Sequence, residues 1–79
     1  MKKIKDKDLI VFLKKALKLS SKKRITNKTL IADLSELDSF GWISFAAYLE
    51  KKNLYLDIQE ATNIKIVNDL KKIIKNNNQ

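Results

Sequence analysis

The chain has 79 residues, a mass near 9.2 kDa and a formal charge of +8, which bounds it to one domain with one modest core. It has no cysteine and no histidine, which excludes disulfides, thiolate metal sites and every Ser-His-Asp or Cys-His enzyme. One glycine and no proline argue against a turn-rich all-β chain and against a glycine-rich phosphate loop.

The charge is unevenly placed. Residues 1–28 hold 11 Lys or Arg against 2 Asp, a net of +9. Residues 29–60 hold 2 Lys against 6 acids, a net of −4, and residues 61–79 hold 4 Lys against 1 Asp, a net of +3. An overall basic chain invites a nucleic-acid reading. The acidic middle third weakens it, and no turn glycine or base-reading helix is evident. Lys2, Lys3, Lys5, Lys7, Lys14, Lys15, Lys22, Lys23 and Arg24 read best as a lysine-rich solvated surface. No apolar run approaches the ~20 residues of a spanning helix. The basic start is followed by only Leu9–Leu13 before Lys14 and Lys15, too short for a signal peptide. A cytoplasmic monomer with no membrane partner is expected.

The first predicted helix runs from 6 or 8 to 19. Leu9, Ile10, Leu13, Ala16 and Leu17 fall on one face, with Asp at its start and Lys at its end, in the sense the helix dipole favours. Residues 20–24 break the pattern. Residues 25–37 then form a long connection, held to the core by Ile25, Leu30, Ile31, Leu34 and Leu37. An anchored connection of this length points to function.

The second predicted helix spans 38–52. Asp38 is a strong N-cap, because its carboxylate can accept a backbone N–H that has no partner inside the helix. The apolar residues after it separate into two stripes. Trp42, Phe45, Ala46 and Leu49 form one, and Phe40, Ile43 and Ala47 the other. One layer of packing needs only one apolar stripe, so the second must meet another element or a partner. A short third helix is expected at 57–62, anchored by Ile58 and Ala61. A fourth is expected at 66–75, with Ile66, Val67, Leu70, Ile73 and Ile74 at helical spacing. The polar end, 76–79, is expected to fray. The fold class is therefore all-α: a small bundle of three main helices plus one short helix, in a single domain.

Ser39 is the residue with chemistry to offer. It stands at a helix start, where free N–H groups favour a phosphate. Asp-Ser before an apolar run is also an ordinary cap. The wider pattern is more specific. Asp38-Ser39-Phe40 at the start of the second helix, followed by Ile43, Phe45 and Leu49-Glu50, resembles the acyl carrier protein family and its peptidyl and aminoacyl relatives. Upstream, Ile25-Thr26-Asn27 and Asp33-Leu34 resemble that family's first loop. Downstream, the run from Ile64 to Leu70 resembles its entry to the last helix. The likeness covers about residues 8 to 75, and Leu-Asp-Ser-Phe-Gly looks most like D-alanyl carriers and other stand-alone carriers.

The resemblance implies a non-catalytic carrier domain. Ser39 would hold a 4′-phosphopantetheine arm received from coenzyme A through a phosphopantetheinyl transferase, with Asp38 as the motif residue beside it. The arm would carry an acyl or aminoacyl thioester from a loading enzyme to downstream transferases. Phe40, Ile43 and Ala47 would face those partners. Asp33, Glu36, Asp38 and Glu50 form either a steering surface or a plain solvated one. No metal-loop spacing is present. The alternative function is a small basic helical module that binds nucleic acid or protein.

Overall fold

A computed structural model describes residues 5–20 and 22–78. Among them are four α-helices and one 3-10 turn: α1 (Asp6–Ala16), the turn Ile31–Asp33, α2 (Ser39–Glu50), α3 (Ile58–Ala61) and α4 (Val67–Asn77). The all-α class and the order of the helices match the expectation. Residues 1–4, 21 and 79 of the expected single domain lie outside the described residues.

The core is built from one face of each helix. Leu9 and Leu13 of α1, Trp42, Phe45 and Leu49 of α2, Ala61 of α3, and Val67, Leu70 and Ile74 of α4 are all buried. Ile10, Ala16 and Leu17 flank this core at partial burial. Phe45 sits at its centre with 0% exposure and tilts against Trp42, ring centroids 6.4 Å apart. A second aromatic contact ties α1 to α2: Phe12 and Tyr48 stand 5.6 Å apart. Lys52 Nζ lies 5.1 Å and 5.3 Å from those two ring centres, within cation–π range.

α1 ends three residues before the expected boundary. Leu19 N–H donates to the Lys14 carbonyl at 2.8 Å, and Lys18 N–H to the Lys15 carbonyl at 3.4 Å. This double bond pattern closes a helix once the residue after the C-cap turns left-handed. Lys18 does so, with φ 55°, where glycine is the usual occupant. The periodicity of the apolar residues continues to Leu17, but the backbone has already turned. α2 likewise stops at Glu50, and Asn53 adopts φ 61°, a conformation asparagine tolerates.

The long connection is stitched to α4. Ile31 N–H donates to the Lys65 carbonyl at 2.8 Å, Val67 N–H to Thr29 O at 3.0 Å, and Asn68 N–H to Asn27 O at 2.8 Å. Leu30 and Ile66 thereby form an isolated antiparallel bridge. The connection thus satisfies two N–H groups that the first turn of α4 leaves free. Ile25, Leu34 and Leu37 are buried as expected. Leu30 is not: it is 49% exposed, because its backbone makes the anchor and its side chain points away.

The C-terminal helix runs further than expected. It continues through Asn77, two residues past the expected boundary at 75. Asn78 accepts from Tyr55 N–H at 2.8 Å, and its Nδ2 donates to Tyr55 O at 2.9 Å and Ile74 O at 2.7 Å. Asn77 Oδ1 accepts from Asp57 N–H at 2.9 Å. Asparagine side chains dock the segment before α3 onto the end of α4, which a reading of polarity alone does not reveal.

Candidate functional site at the start of the second helix

The site is assembled by the end of the long connection and the first turn of α2. Leu34 and Leu37 bury themselves in the core, which fixes where Asp38 emerges. Asp38 is the N-cap: its backbone is extended, and its Oδ1 accepts from Gly41 N–H at 2.8 Å. Ser39 is therefore the first helical residue and is exposed. The capping bond falls to Asp38, so the Ser39 hydroxyl has no structural duty at the helix start.

Phe40, Ile43 and Ala47 lie on one side of α2 and all three are exposed, with Phe40 at 76% and Ile43 at 58%. The expected second stripe exists and, among the described residues, stays largely open to solvent. Ile43 follows Ser39 by four residues, so the two are neighbours on the helix surface. Trp42, Phe45 and Leu49 take the inward side, with Ala46 half-buried beside them.

Residues outside the motif complete the surroundings. A cleft of about 530 Å³ opens between the end of α1 and the start of α2. Leu17 and Lys18 line it from α1's closing turn, and Glu36, Asp38, Phe40 and Ser44 from the other side. Glu36 Oε1 is buried and has no hydrogen-bond partner among the described residues. Gly41 is also part of the wall. Lys18 is remote in sequence from the motif, and only the left-handed turn after α1 brings it here. The signal that did exist was Gly41, a poor helix former in a first turn, which marks a close approach of backbone.

Among the described residues, no group of three His, Cys, Asp or Glu side chains is placed to hold a metal ion. Nor is any helix long and apolar enough to cross a membrane. Compared with protein-family models, with curated proteins and with solved structures, the chain finds no match.

Proposed function

We propose that the chain is a carrier protein that holds an acyl or aminoacyl group on a 4′-phosphopantetheine arm attached to Ser39. One observation carries the reading: an exposed serine stands at the first position of an apolar helix whose cap is supplied by its neighbour Asp38. A serine placed so is reachable by another enzyme, and its loss of a free hydroxyl leaves the helix start intact.

The surroundings suit the group. The first turn of α2 offers the positive end of a helix dipole to a phosphodiester. Glu36 Oε1 supplies a buried acceptor with no partner among the described residues, and the cleft beside it has both apolar and polar walls. When attached, the arm supplies the thiol that carries the cargo. In the attachment step Ser39 Oγ attacks the β-phosphorus of coenzyme A. The new Oγ–P bond replaces the bond to the α-phosphate, adenosine 3′,5′-bisphosphate leaves, and the hydroxyl proton passes to the transferase. This chain has no histidine to take it.

The partners are then a phosphopantetheinyl transferase, a loading enzyme and downstream acceptor enzymes, met through the exposed Phe40, Ile43 and Ala47. An exposed apolar stripe beside the attachment point suits transient docking. Intact mass after co-expression with broad-specificity transferases tests the reading. Wild type is expected to gain the arm and Ser39→Ala to gain nothing. Wild type left unmodified by several active transferases, or Ser39→Ala still modified at another of the hydroxyls, overturns it. Ordinary mass together with steeply salt-dependent retention on DNA favours the nucleic-acid alternative.

A further inference from the structure

We propose that Glu36, Lys18, Leu17 and Phe40 form a cradle for the inner half of the arm, with Glu36 Oε1 as the acceptor for its hydrogen-bond donors. The inference rests on the carrier reading of Ser39. Its starting point is an anomaly: Glu36 Oε1 is shielded from solvent and takes no hydrogen bond from any group of the described residues. Buried polar atoms in folded proteins are nearly always paired, and a carboxylate oxygen only accepts. The missing partner is therefore a donor from outside the described residues.

The position of the cleft says which donor. Asp38 and Phe40, the residues on either side of Ser39, both line it, so a group on Ser39 Oγ has the cleft at hand. The lining combines the apolar Leu17 and Phe40 with the charged residues Lys18, Glu36 and Asp38, the mixture expected of a small-molecule site. The inner half of a pantetheine arm has the complementary chemistry: an anionic phosphodiester, two geminal methyls, a hydroxyl and amide N–H groups. Lys18 offers the cation of the lining, Leu17 and Phe40 the apolar contact, and Glu36 the acceptor. A bare hydrocarbon cargo has no donor for Glu36, so the cradle is for the arm itself and leaves the cargo outside. A different cleft, lined by Ala46, Glu50, Leu54, Tyr55 and Leu56, begins two turns further along α2 and offers the arm another route.

The test uses protein with the arm attached, its loading verified by intact mass, compared with unloaded protein by NMR. The expected result is contact between the arm's geminal methyls and the Leu17 and Phe40 side chains, with amide shifts at Lys18 and Glu36. Loaded Glu36→Ala is expected to lose most of the shift at Lys18 while showing the same mass gain. A full mass gain with shifts confined to 38–40 and no methyl contacts overturns the cradle and leaves the carrier reading standing. Methyl contacts to Leu54 or Tyr55 overturn it equally. No mass gain removes the carrier reading, and the cradle with it. The wild-type comparison decides the matter even if Glu36→Ala does not fold.

Discussion

Gly41 and Glu36 are in backbone contact. A β-carbon built on Gly41 would run into the Glu36 carbonyl oxygen, with the carbonyl carbon 2.9 Å away and Leu17 Cδ2 at 3.4 Å. The end of the long connection therefore lies directly on the first turn of α2. In an open helix interior Gly→Ala is worth roughly 0.5–1 kcal/mol of stabilisation. Here backbone must move to admit the methyl, and Gly41→Ala is expected to cost about 1–3 kcal/mol instead. Urea unfolding reads the sign directly; a gain in stability rejects the contact.

Phe45 has no exposure and packs against Trp42. Phe45→Ala is expected to cost about 3–5 kcal/mol, against a total that for small domains starts near 5 kcal/mol. A thermal melt should show a collapsed or strongly lowered transition. A melt that overlays wild type contradicts the central place of this ring.

Ile43 is exposed on the opposite side of the same helix. Ile43→Asp should leave the circular-dichroism spectrum and melting temperature close to wild type, while slowing arm transfer or cargo loading. Unfolding of this variant means the stripe is covered by the chain, and unchanged loading means partners dock elsewhere.

Asp38 and Ser39 divide the work at the helix start. Asp38→Ala removes the cap bond to Gly41 N–H and is expected to cost about 0.5–2 kcal/mol. Ser39→Ala should barely move the melting temperature. Equal losses from both variants would show that the serine hydroxyl carries structure as well.

Asn78 joins the end of α4 to Tyr55 through its side chain. Each such bond contributes about 0.5–1.5 kcal/mol net. The side chain also donates to Ile74 O, and Tyr55 is largely exposed, so Asn78→Ala is expected to fall near the low end of the sum of the three, about 1.5 kcal/mol. Hydrogen exchange at the Tyr55 amide is the sharper measurement and should speed up in the variant.

The helices were legible from the spacing of Leu9 and Leu13, of Trp42, Phe45 and Leu49, and of Val67, Leu70 and Ile74, because the 3.6-residue period of a helix forces its buried face to repeat. The cap was legible too, since Asp38 precedes an apolar run and a cap needs only local chemistry. The two stripes of α2 were separable by the same period, but which of them faced water was decided by where α1 and α3 pack. Leu30 shows the limit: its apolar side chain suggested burial, and a backbone bridge to Ile66 left it in solvent. The asparagines at the C-terminus read as polar and loose, and found partners 20 and more residues away. The cleft beside Ser39 belongs wholly to tertiary structure. It joins Lys18 and Glu36, which share no local pattern, because a left-handed turn and a glycine contact bring two separate stretches of backbone together.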